Sequence, residues 1–242
     1  MLGAGGRIRS SDDGETWTWQ NSNVTGIIHG VTYTGPFAAQ TVAAATLFGN
    51  LRKLTVTGIT AANKTYDRTT AATMTTTGAT LAGVYAGDAA NITLSTVNAT
   101  GVFASADVGN GKTVTISGLT ISGSGSAEYT LTQPSTTANI TEAGVTISGL
   151  AASNKVYDRT NVATLTGTPS AAGVISGDTV NVTGTATAGT FAQVSVGTGI
   201  GVTANLGGLS LSNANYTISG VTSPLTANIT QAGVTISGMT AS

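Results

Sequence analysis

The chain has 242 residues and a net charge of −1, with 8% of its residues charged, one His and no Cys. Near-neutrality leaves no electrostatic footprint for nucleic acid or an anionic membrane, so neither is expected as a partner. The missing Cys removes disulfides, thiolate nucleophiles and thiolate metal ligands, and a single imidazole removes most His chemistry, so no cofactor and no metal is expected.

Residues 1–50 come first. No stretch of the chain reaches the apolar length of a membrane span, which excludes insertion by a helix. Residues 1–6 lack the basic start and apolar run of a signal peptide, so the export signal of a secreted protein would have to lie upstream. Residues 10–17, "SSDDGETW", carry Ser10, Asp12, Gly14, Thr16 and Trp17 in the spacing of an Asp-box. In such a turn the Asp accepts backbone N–H groups, Gly supplies a positive φ and Trp packs the hairpin. With "GAGGRI" before it and "IIHGVTY" after, the segment resembles one blade of a sialidase or photosystem-assembly-factor type of β-propeller. One blade cannot close a propeller. Residues 1–35 therefore read as the last piece of an upstream domain, or as a hairpin leaning on the repeat that begins near residue 51, with 35–50 as a connector. His29 has no second His or Cys beside it and reads as a strand or turn residue. Arg7, Arg9 and Arg52 are too scattered for the carboxylate-gripping cluster that a sialidase needs.

From residue 51 onward the chain repeats itself. Residues 54–67, "LTVTGITAANKTYD", align without gaps on residues 145–158, "VTISGLAASNKVYD", and the opening returns as "VTISGMTAS" at 234–242. Gly87-Asp88 matches Gly177-Asp178, Phe103-Ala104 matches Phe191-Ala192, Val108-Gly109 matches Val196-Gly197, and "ANIT" at 138–141 matches 227–230. The offset stays between 87 and 91 residues, so insertions are short and belong in loops. The reading is a first repeat over 51–142, a second over 143–231, and a third that starts at 232 and is expected to continue in a longer parent array. Between the landmarks apolar and hydroxyl residues alternate, as in Leu54 and Val56 against Thr55 and Thr57, or Val114 and Ile116 against Thr113 and Thr115. Val180, Val182, Tyr216 and Ile218 continue the pattern. Period two bounded by Gly predicts strands with one buried face. No helical stripe is present. The expected fold class is all-β, with tandem small immunoglobulin-like sandwiches set end to end and a compact β-grasp or mixed sheet as the alternative. Short connections between repeats predict a stiff rod.

Two hexapeptides concentrate the charge: Asn63, Lys64, Tyr66, Asp67 and Arg68 in "NKTYDR", and Asn154, Lys155, Tyr157, Asp158 and Arg159 in "NKVYDR". A site of chemistry and a structural fastening compete as readings, and the fastening is preferred. Each Tyr would pack its ring inward with its hydroxyl satisfied, and each Asp would accept N–H groups in an Asx turn. In an extended segment Lys64 lies beside Tyr66 while Asp67 points away, which separates Lys64 and Asp67 as an acid and base pair. Asp88 and Asp178 read as turn residues, or as partners for Arg68 and Arg159. No calcium loop is spelled out, since carboxylates do not alternate around a Gly. A Lys64 to Asn139 or Lys155 to Asn228 isopeptide is a sharper possibility, with Glu128 as an assisting acid in the first copy only.

The blocks "NKxYDR", "GVYAGD" or "GVISGD", "FA" followed by "VG", "YTL" or "NYTI", and "TANIT" resemble the YDG-type repeat of large bacterial adhesins related to filamentous haemagglutinin. The resemblance spans about residues 54–232. Arg68 and Arg159 stand where the family name places Gly, and Glu128 stands where the second copy keeps Asn215. Membership would imply a secreted or surface-exposed, non-enzymatic repeat, with neighbouring repeats as partners and a host glycan or protein as possible receptor. The competing expectation is a carbohydrate-binding accessory module of a secreted enzyme, with Trp17, Trp19 or Tyr85 as a sugar platform.

Overall fold

Alternating apolar and hydroxyl side chains build strands, and a computed structural model of the chain is made of them. It describes residues 51–238 and three short strands before them, Leu2–Gly3, Arg7–Ser10 and Thr18–Asn21, paired antiparallel in that order. Ser10 ends the second of these strands. Asp12, Gly14, Thr16 and Trp17 of the Asp-box lie outside the described residues, as does His29. Among the described residues there is no α-helix, only two short 3-10 turns at Ala89–Asn91 and Ser126–Glu128. The protein is all-β.

Residues 51–238 fall into two compact units, one taking 51–59, 75–100 and 116–134, the other taking 60–74, 101–115 and 135–238. In the first, Arg52–Thr57 is the central strand of three, parallel to Tyr129–Leu131 and antiparallel to Thr80–Ala82. Leu54 and Val56 face inward and their neighbours outward, as period two requires. Leu54, Ile92 and Tyr129 form the buried centre, with Leu81, Val84 and Ile121 packed against it.

The second unit holds two sheets of related plan. One runs in the order Lys64–Thr65, Ser135–Thr141, Gly109–Ser117, Thr100–Phe103, Ala71–Ala72. The other begins with the matching five, Lys155–Val156, Leu225–Thr230, Gly197–Ala204, Ala188–Phe191 and Val162–Ala172, then adds Ala143–Ala152 and Tyr216–Val221. The addition is possible because Val162–Ala172 is one long strand. Its first part, 162–164, pairs with Ala188–Phe191, and from Leu165 on it pairs with Ala143–Ala152, across a bulge at Gly149 that follows Gly167. In the first repeat the matching stretch carries one more residue and breaks into Ala71–Ala72, Met74–Thr75 and Thr80–Ala82. The sheets are mixed: Lys64–Thr65, Lys155–Val156 and Ala143–Ala152 each lie parallel to a partner.

Two cores stabilise this unit. Phe191, Ile147, Ala163 and Ile229 centre the first, which belongs wholly to the second repeat. The second is shared: Tyr66, Phe103, Val114 and Ile140 come from the first repeat, and Ala143, Val145 and Tyr216 from the next. The joint between repeats is therefore a hydrophobic core in its own right.

Candidate functional site

Each hexapeptide starts on a sheet edge. Lys64 and Thr65 pair parallel with Ile140 and Thr141, and the Tyr66 N–H continues the ladder onto the Thr141 carbonyl at 2.8 Å. The Asn63 side-chain oxygen accepts the Asn139 N–H at 2.7 Å, fixing the register of the strand. After Tyr66 the chain leaves the sheet. Asp67 Oδ1 accepts the Thr69 N–H and the Thr69 hydroxyl, both at 2.8 Å, in an Asx turn that places Arg68 at φ 65°. That conformation costs a residue with a Cβ roughly 1 kcal/mol.

The turn brings Asp67 back over Lys64, whose Nζ lies 2.6 Å from Asp67 Oδ1. The expectation that Asp67 points away from Lys64 is corrected here: the strand ends at Thr65, so its alternation stops before Asp67. The same amine also donates to the Thr69 carbonyl, the Thr69 hydroxyl and the Ala71 carbonyl at 2.8, 2.9 and 3.2 Å. Beneath it lies the Phe103 ring, 5.7 Å from Nζ. The second copy reproduces the arrangement with Lys155, Asp158, Thr160, Val162 and Phe191, and with Asn154 accepting the Asn228 N–H at 2.7 Å. The Lys155 amine holds the Asp158 carboxyl down to about 2, helped by the Thr160 N–H and hydroxyl. Burial resists ionisation of Asp67, but the Lys64 amine and Thr69 outweigh it and its pKa also lies below the ordinary value. Asn139 and Asn228, the proposed isopeptide partners, instead accept the N–H groups of Gly111 and Gly199 at 2.7 and 2.8 Å.

What differs between the copies is the far side of the Tyr. Tyr66 is 7% exposed and meets the Tyr216 ring edge-on, with centroids 5.5 Å apart and planes at 75°. Both hydroxyls donate to Asp178 Oδ2, at 2.9 Å from Tyr66 and 2.7 Å from Tyr216. Arg68 Nε sits 2.8 Å from Asp178 Oδ1, and its Nη1 donates to the Ser176 carbonyl at 2.6 Å. Gly177, at φ 92°, lies under the guanidinium, where a Cβ would overlap Nη1. Beside this cluster Asn215 Oδ1 accepts the Val108 N–H at 2.8 Å and Nδ2 donates to Asp107 at 3.0 Å. Arg68 thus pairs with the Asp of the following repeat and not with Asp88 of its own. Asp88 accepts the Tyr129 hydroxyl at 2.7 Å, the same bond that Tyr216 makes to Asp178. The expected inward packing of Tyr157 and ion pair of Arg159 are corrected: Tyr157 is 38% exposed, with no counterpart of Tyr216 and Asp178 over it among the described residues, and Arg159, at φ 67°, pairs with no carboxylate among them.

The electrostatics follow from this geometry. The Tyr216 hydroxyl holds the Asp178 carboxyl below its ordinary value, and against opposing burial the Tyr66 hydroxyl and Arg68 add to the effect. Burial, then the bond to the Asp178 carboxylate, raises the pKa of both tyrosines, so they remain donors through the neutral range. A carboxyl depressed in the folded state contributes stability that is complete above its unfolded value, near 3.9, and is lost as pH falls through the folded one. Urea unfolding followed from pH 7 to pH 2 should therefore show the wild-type advantage over Asp178→Asn shrinking below about pH 4. A constant difference across that range would remove the ionised Asp178 from the seam.

Sequence reasoning placed Tyr66 and the Asx turns, and missed Tyr216, Asn215 and Asp107 as the groups that complete the seam. The available signal was the spacing: in both copies a Gly-Asp is followed 41 or 38 residues later by a Tyr that reaches back to it. A family model described as the YDG domain matches residues 50–138 and 141–224. No curated protein and no solved structure matches the chain.

Proposed function

Since the chain belongs to the YDG domain family, we propose that it is a non-enzymatic repeat region of a secreted or cell-surface bacterial adhesin, one that projects other parts of its parent chain or adds weak, multivalent contacts of its own. The observation that carries this reading is where the charged side chains go. Lys64, Asp67, Arg68 and Asp178 are bonded to turns or to the joint between repeats. A residue set used in this way resists displacement of one repeat from the next, which is the property a projecting array needs. The repeats are proposed to act as sandwich-like modules, with further repeats as their partners and the Asp-box segment as the edge of another domain.

An array of glycans and matrix proteins, probed first with the free chain and then with the chain coupled densely to beads, tests the proposal. The expected result is no retention of the free chain and broad, weak retention of the beads. Saturable binding of the free chain to one glycan class, lost in Tyr85→Ala, would replace this reading with a carbohydrate-binding module. Tyr85 is half exposed, with the Arg52 guanidinium 4.0 Å from its ring centroid.

A further inference from the structure

The joint between the repeats is held by two kinds of polar contact. One kind uses residues that both copies carry: Tyr66 and Arg68 on one side match Tyr157 and Arg159, and Asp178 on the other matches Asp88. The other kind uses residues that differ. Asn215 accepts the Val108 N–H on its side-chain oxygen at 2.8 Å and donates its amide to Asp107 Oδ1 at 3.0 Å. Its own N–H bonds Asn213 Oδ1 at 3.0 Å, in an Asx turn that leads into Tyr216. Ser195 stands at the position of Asp107 in the second copy, and Glu128 at the position of Asn215 in the first. Among the described residues, these are the side chains bonded across the seam that change chemical class between the copies.

We propose that this pair of positions sets which repeat can follow which. An amide suits position 215 because it accepts from a backbone N–H and donates to a carboxylate at once; a carboxylate there has nothing to donate to Asp107. Arg68 is engaged by Asp178, and Lys112 donates to Ser105 Oγ at 2.7 Å, so neither neutralises a second acid beside Asp107. A repeat with Asp at the 107 position therefore admits a successor with Asn before its buried Tyr and rejects one with Glu. The first repeat carries both Asp107 and Glu128, so it does not follow a repeat of its own kind. A Ser, as at 195, accepts either successor, because a hydroxyl both donates and accepts. The shared clamp of Tyr66, Arg68 and Asp178 supplies strength without selectivity, and the variable pair supplies selectivity through repulsion. Every group in the formed seam belongs to one compact unit, and the rule stands whether or not the protein serves at a cell surface.

Urea unfolding of the full chain tests the rule through a double-mutant cycle. Gln and Glu share length and shape and differ in charge, so Asn215→Gln is compared with Asn215→Glu, first with Asp107 in place and then combined with Asp107→Ser. Opposite Asp107, the Glu variant should be less stable than the Gln variant by about tenfold in the unfolding equilibrium, as like charges in near contact imply. In the Asp107→Ser background that difference should fall to about twofold or less. Equal stability of the two variants opposite Asp107 overturns the rule. A tenfold difference that survives Asp107→Ser also overturns it, and assigns the repulsion to Asp178. If Asn215→Glu prevents folding outright, recovery in the double variant supports the rule, and failure to recover while Asn215→Gln with Asp107→Ser folds counts against it.

Discussion

Phe191→Ala should destabilise the second unit by about 3–5 kcal/mol, and Phe103→Ala should cost a similar amount. Both rings are 1% exposed, and each closes a core beneath the ammonium group of a hexapeptide Lys. Truncation removes the apolar contacts and leaves a void that the surrounding strands cannot fill, since each strand is held in register by ladder bonds on both sides. Urea denaturation followed by far-UV circular dichroism reads the loss directly. The informative comparison is between the two variants. Phe191 lies in the core internal to the second repeat, whereas Phe103 lies in the shared core with Tyr216 and Val145. Phe103→Ala should therefore also raise the exposure of Tyr216, seen as faster quenching of tyrosine fluorescence, and Phe191→Ala should not. Equal effects on Tyr216 in both variants would mean that the shared core is not a separate structural element.

Gly167→Ala should cost about 3 kcal/mol or more, combining the strain of a left-handed backbone with forced separation at the bulge. Gly167 sits at φ 101°, and a Cβ there would overlap the carbonyl oxygen of Gly149. That overlap is with backbone, so no side chain can rotate to relieve it. The bulge also interrupts the pairing of the long strand with Ala143–Ala152, which runs from Leu165 to Gly167 and resumes at Ser170, so opening it loosens the ladder that joins Ala143–Ala152 to the rest of its sheet. Gly199→Ala is the matched control: its φ is 60° but a Cβ would meet nothing within 4 Å, so only the backbone strain of roughly 1 kcal/mol applies. Thermal or chemical melts that place the two variants together would show that the bulge accommodates a side chain.

Much of the architecture was legible in the residues. Alternation identified the strand containing Leu54 and Val56 and the one containing Val114 and Ile116 with the correct buried face, because period two depends on the local chain alone. The Asx turns at Asp67 and Asp158 were legible for the same reason. Val180 was not: it precedes its strand, Val182–Gly184, and is only half-buried. The partner of Arg68 could not be read either, since alternation gives the face of a strand and says nothing of which strands adjoin. Near-identical hexapeptides imply identical surroundings only while neighbours are ignored. Tyr66 and Tyr157 separate once the following repeat is in place, and that difference resides in residues over a hundred positions away in the chain.

The compact unit begins partway through the first repeat, at Thr60, while the family match divides the chain between residues 138 and 141. Structure and sequence are therefore out of phase. Any duplication by one whole period copies both halves of a joint, wherever its breakpoints fall, because the half lost at one end is regained at the other. Such a gene can lengthen or shorten by unequal recombination without needing a cut at a module edge. Likewise, excising one repeat at its sequence boundary leaves Tyr66 without its cover and Asp178 without its arginine, so the smallest piece that inherits a finished joint is longer than the repeat itself.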